Sequence, residues 1–317
     1  MRALYYNQKL TLENMDVPVP EAGEALIRVS LAGICNTDLE IVKGYMGYRG
    51  ILGHEFVGTV EACSAEAWIG RRVAGEINLG CGHCDMCRKG LARHCATRQV
   101  LGIVNRHGAM AEYVTLLVEN LIEMPDTISD ALAVMVEPLA AAFEILEQVH
   151  VAPQTEVAVI GDGKLAWMIV QVLKLTGAHV TVYGHHEDKC RFFRQQGIDA
   201  FSDAVPQPQS YSLVVEASGN ISGLTAAITA CQPRGVIVLK STVADRYQID
   251  LAPLVINEIS MIGSRCGQFA PAIRALAAEQ VNLAPLVSEA FPLSQYHEAF
   301  KQARSGQTAK VVFDMKR

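Results

Sequence analysis

The chain lacks several features, and each absence closes off a class of function. No apolar run is long enough to span a bilayer, so no membrane role is expected. There is no basic excess: 27 lysines and arginines stand against 33 aspartates and glutamates, for a formal charge of −6. Nucleic-acid binders present a basic face, and none is visible, so a nucleic-acid partner is set aside. The first residues, Met1-Arg2-Ala3-Leu4-Tyr5-Tyr6-Asn7-Gln8, carry no signal-peptide core. That predicts a cytoplasmic protein, in a compartment that keeps thiols reduced. Internal repeats and low-complexity segments are missing, which sets aside stacked-repeat architectures. What is left is 317 residues, 50% hydrophobic and 19% charged, with a pI near 5.9. That composition suits a globular protein of two domains.

Of nine cysteines, four fall within fifteen residues. They read Cys81-Gly82-His83-Cys84-Asp85-Met86-Cys87, then Cys95 after a gap of seven residues. Soft thiolates this close together can form a tetrahedron around zinc. Two disulfides are the alternative, and a reducing compartment disfavours them. The spacing therefore predicts a zinc held by Cys81, Cys84, Cys87 and Cys95, in a lobe at about residues 80–96. Four protein ligands leave no open position for substrate, so this zinc is structural. His83 and His94 lie inside the lobe and could replace a thiolate, but four cysteines suffice. Cys63, Cys190, Cys231 and Cys266 are isolated and read as packing.

The first hundred or so residues read as short strands between Gly- and Pro-containing turns. Ala25-Leu26-Ile27-Arg28-Val29-Ser30-Leu31 and Phe56-Val57-Gly58-Thr59-Val60-Glu61-Ala62 are examples. Many short strands of this kind predict a small barrel-like β domain. The rhythm changes near residue 125, and after Thr155 strands alternate with helices. Val157-Ala158-Val159-Ile160 is a buried strand, Lys164 to Thr176 a helix stopped by Gly177, and His179-Val180-Thr181-Val182-Tyr183 the next strand. This alternation predicts an α/β fold with a doubly wound parallel sheet.

Between the first strand and helix of that region stands Gly161-Asp162-Gly163-Lys164-Leu165-Ala166. The pattern is G-x-G-x-x-A. The first glycine permits a tight turn, the second lets backbone approach a pyrophosphate, and the small Ala166 lets helix pack on strand. The phosphates would lie at the helix N-terminus, near Lys164 and Leu165. Such folds often end their second strand in an acid that binds the ribose 2′-hydroxyl. Here that place falls on Gly184, followed by His185-His186-Glu187-Asp188-Lys189. With the acid missing, His185, His186 and Lys189 could surround a 2′-phosphate, which predicts NADP over NAD. The alternative is two exposed histidines with no role.

Gly33-Ile34-Cys35-Asn36-Thr37-Asp38-Leu39 and Gly53-His54-Glu55-Phe56 add the last pieces. Taken in order with the cysteine run and the glycine motif, they resemble the zinc-dependent medium-chain dehydrogenase/reductase family. The likeness covers nearly the whole chain. The Gly-His-Glu and Glu137-Pro138-Leu139-Ala140 motifs are similar to its polyol, threonine and glucose dehydrogenase branches. The resemblance implies a Rossmann dinucleotide-binding domain, residues 127–266, inserted in a GroES-like β-barrel catalytic domain, residues 1–126 and 267–317. It also implies a homodimer or homotetramer.

By the same resemblance, a catalytic zinc would be held by Cys35, His54 and Glu55, with Glu137 binding directly or through a water. Together with the cysteine lobe, that makes two zinc ions per chain. Thr37 matches the family's proton-relay hydroxyl, and Asp38 an acid that orients His54. Where the family often ends the relay in histidine, this chain has Glu40, which either takes that role or is a solvated helix residue. Ser218 and Gly219 match a segment beside the nicotinamide. Arg265 is placed to meet cofactor phosphate or substrate, or to form a surface salt bridge. The stretch with Tyr45, Tyr48 and Arg49 borders the expected pocket. The implied activity is hydride transfer between a small-molecule secondary alcohol (a polyol, sugar or hydroxylated metabolite) and NADP or NAD. Running in reverse, the same enzyme would be a ketone or aldehyde reductase. A zinc- and dinucleotide-binding protein without turnover is the competing class, and the retained Cys35, His54 and Glu55 speak against it.

Overall fold

The computed structural model describes residues 1–242, 248–306 and 310–317, and every count below refers to these. They fall into two compact units. The first comprises Met1–Glu137, Ala272–Ala278 and Leu283–Arg317, and the second Pro138–Pro271 and Glu279–Asn282. The first unit thus runs to Glu137, past the 126 expected from sequence. Arg72 holds the extra segment: its guanidinium donates to the carbonyls of Pro125 and Ile128 and, at 3.0 Å, to Asp130.

The first unit opens with the antiparallel pair β1 (Arg2–Asn7) and β2 (Lys9–Asn14). Strand β3 (Glu24–Gly33) leads into helix α1 (Asn36–Ile41). Along β3, Ala25, Ile27 and Val29 are buried, while Arg28 points to solvent and pairs with Glu61 at 2.5 Å. That alternation is the period-two signature of a strand with one face on a core. Next come β4 (Gly50–Ile51), β5 (Glu55–Cys63) and β6 (Arg72–Gly75). The short strands β7 (Asn78–Leu79) and β8 (Gln99–Val100) pair at the base of a loop carrying helix α2 (Asp85–Arg88). β9 (Tyr113–Leu117), β10 (Leu121–Glu123) and helix α3 (Asp130–Ala133) complete the stretch.

Helix α4 (Val136–Gln148) leads into the second unit. There follow β11 (Glu156–Ile160), α5 (Lys164–Lys174), β12 (His179–Gly184), α6 (Glu187–Gln195) and β13 (Asp199–Ser202). Then come β14 (Tyr211–Glu216), α7 (Ile221–Ala230), β15 (Cys231–Leu239), α8 (Ala252–Ile256) and β16 (Ser260–Gly263). The strands form a parallel sheet in the order β13-β12-β11-β14-β15-β16. In β11, Val157 to Ile160 are all buried, as befits a strand covered on both faces. Strand order reverses between β11 and β14, and ligands of such sheets bind beyond the carboxyl ends of the strands at that switch.

Helix α9 (Phe269–Ala277), strand β17 (Val287–Pro292), helix α10 (Tyr296–Arg304) and strand β18 (Lys310–Asp314) return the chain to the first sheet. β18 runs parallel to β17 and antiparallel to β3, with Val312 opposite Gly33. That sheet has the order β10-β6-β5-β3-β18-β17, with β9 also paired to β3. Residues from both ends of the sequence therefore share one sheet. No helix among the described residues is long and apolar enough to cross a membrane.

Candidate active site

Cys35 caps α1 with extended backbone, and Asp38 occupies the third position of the helix. The Asp38 carboxylate accepts the Cys35 amide at 2.8 Å through Oδ2 and the Gly53 amide at 3.2 Å through Oδ1. One fully buried acid thus ties the loop before α1 to the loop before β5. Gly53 has φ +95°, and a Cβ there would sit 2.6 Å from Met110 Cγ, so the turn that delivers His54 requires glycine. His54 Nδ1 lies 3.6 Å from Asp38 Oδ1. Glu55 follows at the start of β5.

The thiol of Cys35, the imidazole of His54 and the carboxylate of Glu55 each offer an atom within 4.8 Å of the others. His54 and Glu55 are buried, and Cys35 is partly so. The Cys35 thiol faces Thr37 Oγ1 at 3.7 Å. Glu40, on the same helix, is only 13% exposed at its side chain and pairs with Lys43 at 2.7 Å. Tyr48 is committed elsewhere: its buried hydroxyl is 2.7 Å from the Ile51 carbonyl and 2.9 Å from that of Arg106.

Lys310, at the head of β18, forms a buried ion pair with Glu55 that sequence reasoning missed. Burial alone would lower its pKa, but Glu55, Cys35 and Asp38 raise it. For His54, burial pulls the pKa down, and Asp38 and Cys35 more than reverse this, leaving the imidazole well above its usual value. Glu137 stands close enough to feel these groups. Burial pushes its carboxyl up to about 7, with Glu55 and Glu76 adding and His54 and Lys310 opposing. His54 Nδ1 and Glu55 Oε1 are buried without a hydrogen-bond partner. A partly buried thiol beside a buried imidazole and carboxylate with orphaned polar atoms fits a zinc ion, whose usual ligands these are.

In the lobe, Cys84 caps α2, Cys87 lies within it, and Cys95 follows a single 3-10 turn, Ala92–His94. The sulfurs of Cys81, Cys84, Cys87 and Cys95 all lie within 4.8 Å of one another. Cys81, Cys84, Cys87 and Cys95 are free thiols. The Thr97 hydroxyl, the foremost cause, holds Cys95 down to about 6, and backbone contacts lower Cys81. His83 Nδ1 meets the Cys81 carbonyl at 2.7 Å.

In the second unit, Gly161 turns at φ +127°, where a Cβ would lie 2.6 Å from the Ala217 carbonyl. Gly163 caps α5, and the space beside it is open. Lys164 and Leu165 begin the helix, and Ala166 is buried against the sheet. Gly161 and Ser218 therefore lie just beyond the carboxyl ends of β11 and β14, and Gly184 ends β12, on neighbouring strands at the switch point. Ser218 donates to Glu216 at 2.7 and 2.6 Å, and the Gly219 amide donates to Ser241 at 2.8 Å. Arg265 follows β16, and its carbonyl accepts from Lys240 at 3.0 Å.

His185, His186 and Lys189 are the residues expected around a 2′-phosphate. Each already faces a carboxylate. His185 pairs with Asp203 at 3.0 Å, His186 with Asp162 at 2.9 Å, and Lys189 with Asp162 at 3.4 Å. Asp162 passes for the variable residue of the glycine motif in sequence. Its signal was a lone acid in a loop expected to cradle phosphates.

Comparison with known proteins brings in the whole chain. Residues 21–126 match the alcohol dehydrogenase GroES-like domain family, and residues 165–281 the zinc-binding dehydrogenase family. The chain is 29% identical to an L-threonine 3-dehydrogenase of Legionella pneumophila over 334 residues, 94% of this chain and 95% of that one. It is 28% identical to a D-arabitol-phosphate dehydrogenase of Enterococcus avium, covering 95% of this chain and 93% of the relative. Among solved structures it is similar to a short chain alcohol dehydrogenase, rspB, of E. coli CFT073, complexed with NADH. There the TM-score is 0.91, the identity 27%, and the cover 99% of both chains.

Proposed function

This chain belongs to the zinc-dependent medium-chain dehydrogenase family, and from that premise we propose that Cys35, His54 and Glu55 hold its catalytic zinc. Glu137 completes the set, directly or through a water. The protein is an oxidoreductase that moves a hydride between a secondary alcohol and NAD(P). The substrate we assign is a polyol, sugar or hydroxylated metabolite, in keeping with relatives named for threonine and D-arabitol phosphate. Cys81, Cys84, Cys87 and Cys95 hold a second, structural zinc. The first unit is catalytic and the second binds the dinucleotide, through Gly161, Gly163, the start of α5, and the Ser218-Gly219 loop. We further assign a cytoplasmic homodimer or homotetramer. The one observation that carries the reading is the Cys35 thiol within 4.8 Å of the buried His54 imidazole and Glu55 carboxylate, both of which have polar atoms without a hydrogen-bond partner.

The chain's own residues divide the work. When bound, zinc acts as a Lewis acid that lowers the pKa of the substrate hydroxyl, and the dinucleotide supplies the hydride acceptor. Asp38 holds the Cys35 and Gly53 backbones and faces His54, so it fixes where two ligands stand. Thr37, beside the Cys35 thiol, would relay the proton of the substrate hydroxyl, accepting it while donating its own proton outward to water. Lys310 forms a buried ion pair with Glu55 and places an ammonium beside that ligand.

The test is a panel of polyols, aldoses, hydroxy-amino acids and simple alcohols, with NAD and NADP in parallel, followed by reduced-nicotinamide absorbance. Turnover that a chelator abolishes and zinc restores is the expected result. It should also be lost in Cys35→Ala and His54→Ala. Turnover that survives zinc stripping would overturn the assignment.

A further inference from the structure

The end of β12 carries no acid, because its last residue is Gly184. A carboxylate is nevertheless there. A Cβ on Gly184 would lie 2.6 Å from Asp162 Cβ and 2.8 Å from its Cγ. The Asp162 side chain thus fills the space in which a residue at 184 would begin its own. Its Oδ2 accepts the backbone amides of His185 at 2.8 Å and His186 at 2.9 Å, the two residues that follow the strand. Its Oδ1 has the longer contacts, 3.1 Å to His186 Nδ1 and 3.4 Å to Lys189 Nζ, which leave it acceptor capacity. The carboxyl group is buried, so its position is fixed by packing as well as by hydrogen bonds.

We propose that Asp162 is the acid that receives the ribose 2′-hydroxyl of the dinucleotide, delivered from the glycine loop instead of the strand end, and that it selects NAD over NADP. The argument rests on the assignment of the second unit as the dinucleotide-binding part. A 2′-hydroxyl donates to a carboxylate, whereas a 2′-phosphate brings like charge against it. The neighbours do not offset that repulsion. Lys189 is buried against Asp162 itself, His185 faces Asp203, and Glu187 stands at the start of α6. Around this position, Lys189 and His186 already have Asp162 as a carboxylate partner, His185 has Asp203, and Arg194 has Glu187. Burial would raise the Asp162 pKa, but the amide and side chain of His186, with Lys189, hold it below the usual carboxylate range, so it is charged at neutral pH.

The experiment is calorimetric titration of the zinc-loaded protein with NADH and with NADPH, then with 5′-AMP and 2′,5′-ADP, for wild type and Asp162→Asn. In the wild type, NADH is expected to bind at least tenfold more tightly than NADPH, and 5′-AMP more tightly than 2′,5′-ADP. In Asp162→Asn the gap is expected to shrink at least tenfold. Tighter binding of NADPH by the wild type, or an unchanged ratio in the variant, would overturn the role of Asp162 and leave the dinucleotide assignment standing. Binding of neither dinucleotide would overturn both. The wild-type comparison stands alone should the variant fold poorly.

Discussion

Replacing Lys310 with methionine tests how charge is balanced in the candidate active site. The Lys310 and Glu55 side chains are 5% and 0% exposed, so water cannot take over from a lost partner. Methionine keeps an unbranched chain of similar reach, and the change is chiefly loss of the ammonium. Glu55 is then left near Asp38 and the Cys35 thiol, with the His54 imidazole beside them. Removing one partner of a buried ion pair costs about 3–5 kcal/mol. With zinc held by Cys35, His54 and Glu55, the metal supplies the missing positive charge, and the cost falls to about 1 kcal/mol, that of an average substitution. The assay is urea denaturation of zinc-stripped and zinc-loaded protein, with and without the substitution. Of the two tryptophans, Trp68 lies in the first unit and Trp167 in the second, so a Trp167→Phe background reports on the first unit alone. At a slope of about 2–3 kcal/mol per molar urea, the stripped form should lose roughly 1–2.5 M of midpoint. Equal shifts in the stripped and loaded forms would refute the reasoning, as would a shift under about 1 kcal/mol in the stripped form.

Three further outcomes follow from the same geometry. Asp38→Asn keeps an acceptor but loses the charge facing His54, and zinc affinity at that site should fall about 10–100-fold in a chelator competition; unchanged affinity would mean Asp38 serves the backbone alone. Cys84→Ala should remove one zinc equivalent by metal analysis and open the lobe near residues 80–96 to protease, since structural zinc contributes folding energy; full zinc content would refute the four-thiolate site. Asp162→Asn should cost about 1.5–3 kcal/mol at neutral pH, the range for hydrogen bonds to a charged group. Because the folded Asp162 pKa lies below its ordinary 3.8, that contribution is present above pH 3.8 and is lost as pH falls below it. Urea midpoints of the two proteins should hold a constant gap down to about pH 4 and converge only under it.

Local spacing made much of this molecule legible. The four cysteines are close in sequence, so their convergence needs only one short helix and a turn. The glycine motif reads well for the same reason, since strand, turn and helix N-terminus are consecutive. The ion pair of Glu40 with Lys43 also follows from one helical turn. Two residues escaped. Lys310 heads the run Lys310-Val311-Val312-Phe313, where a lysine reads as a solvent-facing strand end, and only the pairing of β18 with β3 turns it into the partner of Glu55. Asp162 holds a position the motif treats as variable, and its meaning depends on β11 and β12 lying side by side. Both depend on how strands pair in space, and residue spacing carries no information about that.

The placement of β18 also bears on how the protein is born. A ribosome adding about 5–20 residues per second makes Cys35, Asp38, His54 and Glu55 tens of seconds before it reaches Lys310. Throughout that interval the nascent pocket holds its acids and thiol without their internal counter-cation. A divalent ion from the cell is then the partner at hand, and synthesis itself sets the order in which metal capture and closure of the last strand compete. Chains stalled on the ribosome before β18 emerges are expected to gain zinc-dependent protection of the first unit from protease. Equal cleavage with and without zinc would show instead that the pocket assembles only once the chain is whole.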